Sequence, residues 1–283
     1  MTVAVTGASG QLGRLVVEAL VREGSTPVVA IVRDPRKIAD LVEHGVDVRK
    51  ADYDDVAALD KALDGVDRVL LVSGNEFGAR VAQHTNVIRA AERAGVELLA
   101  YTSIPNATNN PLILAQEHKG TEAVLAEATV PHVILRNGWY WENYLGGLAH
   151  AVESGVLHGA AGEGRVAGAA RADYAEAAAR VLTTDGHAGQ VYELGGDEPL
   201  TYAELAQAIS QAAGKPVRYE NLPEADYAAG LVQAGLPAAY ANGLADADTG
   251  VARGILDVQS GDLQKLLGRP ATSAVEVFRG ALG

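Results

Sequence analysis

Short apolar runs alternate with amphipathic stretches through the first half of the chain. Six of these runs predict β-strands, at residues 2–7, 27–33, 46–53, 67–74, 96–103 and 131–138. After the first run, apolar residues recur with helical spacing at Leu12, Val16 and Leu20, and Gly24 predicts the end of that helix. Apolar strands that alternate with helices predict a parallel sheet covered by helices on both faces.

The order of these elements predicts an α/β fold of the doubly wound Rossmann type. After about residue 138 the pattern changes to an alanine-rich helix, strands at 189–196 and 215–222, and two or three closing helices. We therefore predict a dinucleotide-binding domain over residues 1–150 and a smaller C-terminal α+β substrate lobe over residues 151–283. Some strands and helices of that lobe are expected to return to the main sheet.

Polar residues indicate where several helices begin. Asp34 and Pro35 predict an N-cap and a first helical position, and Asp54 predicts the N-cap of the next helix. Thr201 and Glu204 have the spacing of a capping box.

Gly7, Gly10 and Gly13 form a G-x-x-G-x-x-G motif between the first strand and the first helix. In a dinucleotide site the first glycine permits a tight turn, the second lets the backbone approach a pyrophosphate, and the third lets the helix pack on the strand. The helix N-terminus offers N–H groups to the phosphates. The strand–turn–helix setting favours a dinucleotide site over an ordinary tight turn.

Arg33 ends the second strand, where an NAD site usually has an acidic residue for the ribose 2′-hydroxyl. An arginine at this place matches a 2′-phosphate, which it can grip with two hydrogen bonds. Lys37 lies one turn into the next helix and can assist. We therefore expect NADP rather than NAD, and the alternative is a solvated arginine at a strand end.

The other predicted strands also end in polar residues, and ligands of such sheets bind outside the carboxyl ends of the strands. The third strand ends in Asp52 and Tyr53, the fourth in Ser73, Gly74 and Asn75, and the fifth in Thr102 and Ser103. Each of these residues is either a cofactor contact or a cap for the following helix.

Composition excludes several function classes. The chain has no cysteine, which removes disulfides, thiolate metal sites and cysteine nucleophiles. Its net charge of −13 argues against a general nucleic-acid binder. We find no targeting signal and no apolar run long enough to span a membrane, so we expect a cytoplasmic protein. The histidines show no metal-ligand spacing, and Asp246 and Asp248 are typical of a solvated face.

Several segments resemble the NmrA-like branch of the atypical short-chain dehydrogenase/reductase superfamily, with the bacterial type-2 quinone reductases and the triphenylmethane reductases as its most similar members. The resemblance spans nearly the whole chain, and the segments that carry it are TGASGQLG, AIVRDP, ADYDD, AYTS, EHKGTEAVL, LRNGWYWENY, ARADYAEAAARVL, VYELGG and KLLGRPATS. It implies a reduction of quinones that depends on NADPH and uses no flavin and no metal.

The resemblance also implies which residues contact NADPH. They are Gly7, Ser9, Gly10, Gln11, Leu12, Arg33, Ser73, Gly74, Asn75, Asn137, Gly138, Trp139 and Tyr140, of which the last four would lie beside the nicotinamide. Arg171 and Asp173 match an Arg-x-Asp of the family, for which we expect a structural role in the floor of the cleft, since buried charges usually pair.

Short-chain reductases usually carry Tyr-x-x-x-Lys, and no tyrosine of this chain has a lysine four residues on. Alignment on His118 and Glu122 puts His118 at the lysine position and Leu114 at the tyrosine position. Reduction of a ketone makes an alkoxide and needs a general acid, worth roughly 10²- to 10⁴-fold. Reduction of a quinone makes a phenolate-like anion with a pKa of about 10, which water can protonate. A site without the tyrosine therefore suits quinones.

Aromatic residues follow the sixth strand and suit a flat acceptor. We expect Trp139, Tyr140 and Tyr144 to bind substrate, and Trp141 to pack at the junction between the two parts of the chain. His118 could orient the ribose or donate a proton, or it could be an ordinary surface histidine of a helix. Two other functions stay open, a non-catalytic NADP-sensing regulator and a reductase of dyes or other electrophiles, and so does assembly into a homo-oligomer.

Overall fold

The computed structural model describes residues 1–24 and 26–283. The chain forms two compact units, each built from separate segments. The first unit comprises Met1–Ala107, Glu117–Asn137 and Ala172–Tyr192. The second unit comprises Thr108–Gln116, Gly138–Arg171 and Glu193–Gly283. The functional division at residue 150 stays a prediction.

The strands have the following bounds: β1 (Val3–Thr6), β2 (Val28–Val32), β3 (Asp47–Lys50), β4 (Arg68–Leu71), β5 (Leu98–Ser103), β6 (His132–Asn137), β7 (Trp139–Tyr140), β8 (Val156–Gly159), β9 (Arg165–Val166), β10 (Gly168–Ala169), β11 (Val191–Leu194), β12 (Leu200–Thr201) and β13 (Arg218–Asn221).

The helices have the following bounds: α1 (Gln11–Glu23), α2 (Ala39–Val42), α3 (Val56–Ala62), α4 (Arg80–Ala94), α5 (Ala115–Ala126), α6 (Leu145–Ser154), α7 (Arg171–Thr183), α8 (Tyr202–Ala213), α9 (Glu224–Gln233), α10 (Ala238–Ala252), α11 (Asp262–Leu267) and α12 (Ala274–Leu282). Two short 3₁₀ helices, Pro35–Ile38 and Trp141–Tyr144, precede α2 and α6. None of the helices in the described ranges combines the length and the apolar character that crossing a membrane requires.

Within the described residues, seven strands form the main sheet in the order β11-β6-β5-β4-β1-β2-β3. The neighbours from β3 to β6 pair in parallel. The strand predicted at 189–196 joins this sheet as β11. The order reverses between β1 and β4, the switch point at which doubly wound sheets bind ligands. The predicted Rossmann-type fold is confirmed.

Each unit has its own apolar core. In the first unit, α3 and α4 cover the sheet through Leu59, Val87 and Ile88. In the second unit, Tyr202 and Phe278 pack with other buried side chains of α8 and α12. Two-stranded pairings in that unit join β7 to β10, β8 to β13 and β9 to β12. This mixture of short strands and helices confirms the predicted smaller α+β lobe.

Three sequence predictions need correction. The strand β3 is not apolar throughout, because it lies at the edge of the sheet and leaves Asp47 and Lys50 exposed. The N-cap of α3 is Asp55 and not Asp54, since the Asp55 carboxylate accepts from the Ala58 N–H at 2.9 Å, the three-residue reach of a cap. The described residues after β13 form four helices rather than two or three.

The other predicted helix starts are confirmed. Asp34 caps the 3₁₀ helix that begins at Pro35, and its carboxylate accepts from the Arg36 N–H. Thr201 and Glu204 make both hydrogen bonds of a capping box at α8. The predicted apolar face of α1 is buried, and the helix ends at Gly24 in the left-handed conformation.

Candidate active site

The glycine loop after β1 closes on itself more tightly than any residue with a side chain would allow. Gly7 has a φ of +59°, and its carbonyl accepts from the Gly10 N–H at 2.9 Å. A Cβ placed on Gly13 would lie 2.4 Å from that same carbonyl oxygen, which is backbone and cannot move aside cheaply. The third glycine is therefore required for the close packing of α1 on β1.

The start of α1 fits an anion. Gly10 is the N-cap and supplies no side-chain cap, and the first turn of the helix contains no acidic residue. The positive end of the helix dipole and its N–H groups are thus not neutralised by a side chain of the helix. Ser9, Gly10 and Gln11 are exposed, while the Leu12 side chain is buried in the core. The loop has the features that a dinucleotide pyrophosphate needs.

Arg33 immediately follows β2, and its guanidinium is exposed and paired with a carboxylate. Its side chain is 65% exposed, and its Nη1 donates to Glu76 Oε1 at 2.7 Å. The other carboxylate oxygen of Glu76 accepts from the Gln83 amide at 2.9 Å. Lys37, the predicted helper of Arg33, is exposed in the 3₁₀ helix that follows β2. Arg33 is thus accessible, but it is engaged by a carboxylate.

The segment after β4 is held against the glycine loop by a chain of hydroxyl groups. The Thr6 hydroxyl accepts from the Val72 N–H at 3.1 Å and lies 2.5 Å from the Tyr53 hydroxyl. Tyr53 in turn donates to the Val72 carbonyl at 2.9 Å. Burial raises the pKa of Tyr53, so this hydroxyl keeps its proton. A Cβ on Gly7 would lie 3.5 Å from Tyr53 and from Val72. The residues that follow β1, β3 and β4 therefore lie close to one another.

The same segment is anchored on its other side by two buried side chains. The Ser73 N–H donates to the Thr102 hydroxyl, and the Gly74 N–H donates to His84 Nε2, both at 2.9 Å. Because a backbone N–H can only donate, His84 Nε2 carries no proton and Nδ1 donates to Thr121 at 2.9 Å. Burial lowers the pKa of His84 to about 3, with Arg80 adding to the effect. Sequence reasoning considered His84 only as a metal ligand and missed this role.

Two other predicted strand-end residues, Asp52 and Ser103, hydrogen-bond to neighbouring groups of the first unit. The Asp52 carboxylate accepts from the Asp54 N–H at 3.1 Å. The Ser103 hydroxyl donates to Glu122 at 2.6 Å, and Glu122 also pairs with Arg136 at 2.6 Å.

His118 is buried on α5 and is not an ordinary surface histidine. Its Nδ1 lies 2.8 Å from the Tyr101 hydroxyl. Burial lowers the pKa of His118 to about 3, followed in effect by the charge of Arg80. The imidazole is therefore neutral near pH 7, which suits a hydrogen-bonding partner better than an acid. A catalytic role of His118 stays a prediction.

The residues after β6 divide between the two units. Asn137 is buried at the end of β6 in the first unit. Gly138, Trp139 and Tyr140 belong to the second unit, where β7 pairs with β10. The Arg171 guanidinium stacks on the Tyr140 ring at 4.8 Å from its centre. The cofactor contacts predicted for these four residues stay predictions.

Trp141 packs in the apolar core of the second unit and is 2% exposed, while its predicted place at the junction of the two parts stays a prediction. A Cβ on Gly168 would lie 2.6 Å from the Trp141 ring, so the β-strand of Gly168 rests on the face of that tryptophan. Glu142 follows on the same 3₁₀ helix and accepts from the Arg171 N–H with both carboxylate oxygens, at 2.9 and 3.0 Å. These contacts hold the middle of the segment between β6 and α6.

Tyr144 begins a buried chain of hydrogen bonds in the second unit. Its hydroxyl donates to the Tyr202 hydroxyl at 3.2 Å, and Tyr202 donates to Asp248 at 2.6 Å. The other oxygen of Asp248 accepts from the Ala160 N–H at 2.8 Å. Burial raises the pKa values of both tyrosines and raises the pKa of Asp248 to about 6, against the two hydrogen bonds that favour its charged form.

Asp248 corrects a sequence prediction. Asp248 is 5% exposed and does not belong to a solvated face. It lies on α10 on the same side as Ala241 and Ala245, which are also buried. This periodicity was the signal in the sequence that could have identified it. Within the described part of the chain, no group of three or more His, Cys, Asp or Glu side chains is placed to hold a metal ion.

Comparisons with known proteins agree with this geometry. The chain is 50% identical over 275 residues to quinone oxidoreductase 2 of Escherichia coli, covering 97% of this chain and 96% of that protein. A crystal structure of an NADPH-dependent quinone oxidoreductase of Escherichia coli complexed with NADPH matches with a TM-score of 0.95 and 49% identity, covering all of both chains.

A second structural match is a triphenylmethane reductase from Citrobacter. Its TM-score is 0.94 at 36% identity, and the match covers 100% of this chain and 99% of that chain. The model of the NmrA-like family matches residues 1–251, which is well over half of the chain. The chain therefore belongs to the NmrA-like family, as the sequence motifs predicted.

Proposed function

We propose that this chain is an NADPH-dependent reductase that transfers hydride directly to quinones. The observation that carries the proposal is the 50% identity, over nearly the full length of both chains, to a quinone oxidoreductase. The match to an NADPH complex of such an enzyme supports NADPH as the cofactor. The family, the fold and the reaction predicted from the sequence thus agree with each other.

The first unit would hold most of the cofactor. The N–H groups at the start of α1, with Gly7, Ser9, Gly10, Gln11 and Leu12 around them, would bind the pyrophosphate. Arg33 would bind the 2′-phosphate through its planar guanidinium. Residues further along the chain would contact the rest of the cofactor, namely Ser73, Gly74, Asn75, Asn137, Gly138, Trp139 and Tyr140.

NADPH, when bound, supplies the hydride. The chain supplies no Tyr-x-x-x-Lys acid, and the two buried histidines of the first unit have pKa values of about 3 and are neutral near pH 7. A hydroquinone anion, with a pKa of about 10, can take its proton from water. The task of the protein is therefore to position the acceptor and to exclude competing reactions. Trp139, Tyr140 and Tyr144 are the flat side chains proposed for the acceptor.

The reaction class can be tested directly. Purified protein without added flavin should oxidise NADPH when benzoquinone is present and should leave simple ketones unreduced, because an alkoxide product needs a general acid. An absence of quinone-dependent NADPH oxidation would refute the proposal. Ketone reduction at a comparable rate would refute the argument from the missing tyrosine.

The role of Arg33 is tested by replacing it. Arg33→Ala should raise the KM for NADPH by about tenfold or more and leave the KM for NADH nearly unchanged, since one charge-assisted pair contributes about 1.5–3 kcal/mol. Arg36→Ala is the matched control, because Arg36 is 90% exposed in the same turn and pairs only locally with Asp34. An equal rise in the KM for NADPH and for NADH would refute the proposal that Arg33 binds the 2′-phosphate.

A reductase of dyes is the second candidate function. It is favoured by the match to the triphenylmethane reductase, since a cationic dye accepts hydride and needs no proton. A substrate panel of quinones and triphenylmethane dyes with the same NADPH assay distinguishes the two by kcat/KM.

We also propose the cytoplasm as the location, as expected from the sequence.

A further inference from the structure

The ion pair between Arg33 and Glu76 occupies the group that the proposed function assigns to the 2′-phosphate. Arg33 Nη1 lies 2.7 Å from Glu76 Oε1. Arg33 follows β2 directly, while Glu76 follows β4 by five residues, so the pair connects two strand ends of the first unit. A phosphate that binds Arg33 therefore meets a carboxylate already in that place.

Glu76 is held in position by a buried amide. The Gln83 side chain is 3% exposed on α4, and its amide nitrogen donates to Glu76 Oε2 at 2.9 Å and to Asp54 at 3.1 Å. An exposed ion pair is usually weak because both side chains lose freedom when it forms. Here Gln83 fixes one oxygen of Glu76, so part of that loss is already met before Arg33 binds.

We propose that Glu76 is an internal competitor of the 2′-phosphate for Arg33 and so sets how strongly the chain prefers NADPH over NADH. The inference rests on the proposed function, because it needs Arg33 to bind the 2′-phosphate. NADPH has to displace Glu76 from Arg33 and is repelled by its charge, while NADH, which lacks that phosphate, leaves the pair intact. Glu76 thus acts as a specificity-determining residue that weakens the binding of the preferred cofactor.

The test is the affinity for NADP⁺ and NAD⁺, measured by titration calorimetry without substrate. Glu76→Gln keeps the shape and the hydrogen bond to Gln83 but removes the charge. It should lower the Kd for NADP⁺ by about threefold to fivefold, the upper part of the range for an exposed ion pair, because Gln83 already holds Glu76 in place, and it should change the Kd for NAD⁺ by less than about twofold. Rising salt should reduce this gain in NADP⁺ affinity, since screening weakens the attraction of Arg33 to Glu76 and to the 2′-phosphate alike.

Two further variants isolate the competition. Asp60→Asn is the matched control, because Asp60 forms an exposed ion pair with Arg93 at 2.6 Å. This substitution changes the net charge of the protein by the same amount as Glu76→Gln. It should leave both affinities unchanged. In the Arg33→Ala background, Glu76→Gln should lose most of its effect on NADP⁺, because only direct repulsion of the phosphate is left.

Three results would overturn the inference while leaving the role of Arg33 intact. In the first, Glu76→Gln leaves the Kd for NADP⁺ unchanged or raises it. In the second, Asp60→Asn increases the affinity for NADP⁺ as much as Glu76→Gln does. In the third, Glu76→Gln gives the full increase in NADP⁺ affinity in the Arg33→Ala background as well. A wild-type protein that binds NADP⁺ no more tightly than Arg33→Ala refutes the role of Arg33, and this inference with it. A wild-type protein whose affinity depends on Arg33 but not on Glu76 refutes this inference alone.

Discussion

The buried imidazole of His84 makes the stability of the first unit sensitive to acid. His84 is fully buried, accepts from the Gly74 N–H and donates to Thr121. Protonation would place a second donor against Gly74 and a charge in the core. Burial lowers the pKa of His84 to about 3 in the folded chain, against an ordinary value of 6.5, and the charge of Arg80 adds to the effect.

The sign of the effect follows from which state binds the proton first. Because the folded pKa is depressed, the contribution of His84 is complete above pH 6.5 and is lost as the pH falls toward 3. In that window the unfolded chain binds one more proton at this site, so the free energy of unfolding falls by about 1.36 kcal/mol per pH unit. Between pH of about 7.5 and about 4.5, the loss from His84 amounts to about 2.7 kcal/mol.

His84→Gln removes this titration and retains an amide oxygen that can accept from Gly74. Urea unfolding at about pH 7.5 and about pH 4.5 gives the free energy of unfolding of both proteins. Between these two pH values the wild type should lose about 2.7 kcal/mol more of this free energy than His84→Gln. The pKa of His118 is set mainly by burial and keeps this side chain neutral in both folded proteins down to about pH 4.5, so His118 contributes about equally to the two curves. His44→Gln is the control for the same replacement at an exposed position. Parallel curves for wild type and His84→Gln would refute the reasoning.

Two further predictions concern the glycine loop and the second unit. Gly13→Ala places a Cβ 2.4 Å from the Gly7 carbonyl, so NADP⁺ affinity measured by calorimetry should fall at least tenfold, while Gly147→Ala, whose Cβ meets no atom within 4 Å, should leave it unchanged. Equal affinities would contradict the close packing. Asp248 has its pKa raised from 3.8 to about 6, so its contribution is complete below pH 3.8 and is lost as the pH rises through 6. The free energy of unfolding in urea should therefore rise for Asp248→Asn, relative to wild type, by about 2 kcal/mol between about pH 4 and about pH 7. A difference between the two proteins that does not change with pH would refute the cost of ionising Asp248 in the core.

The first half of the fold could be predicted because its order is local. Each strand from β1 to β6 is a short run whose period and turn residues lie within a few positions. The placement of Asp54 failed because two adjacent aspartates satisfy the same pattern, and only the hydrogen bond to Ala58 distinguishes Asp55 as the cap. Asp54 binds Gln83 instead, a residue 29 positions away that no local rule could select.

The segment from Trp139 to Gly159 was not resolved into elements by sequence reasoning. Its strands β7 and β8 have two and four residues, too few to show a period. They exist because distant partners complete them, as where Gly168 pairs with Trp139 and Arg218 pairs with Val156. Long-range pairing of this kind leaves no trace in the spacing of the residues involved.

Polar residues on apolar helix faces were the signal that sequence reasoning underused. Gln83 and His84 share the buried face of α4 with Val87 and Ile88, and Asp248 shares that of α10 with two alanines. A polar group in such a place costs free energy unless it has a partner, so its presence on an apolar face indicates a specific hydrogen bond. Each of the three residues holds a segment outside its own helix, His84 at Gly74, Gln83 at Glu76 and Asp248 at Ala160. Two of these three segments belong to or adjoin the residues proposed for NADPH, which is why the helix face behind a strand end carries information about the site in front of it.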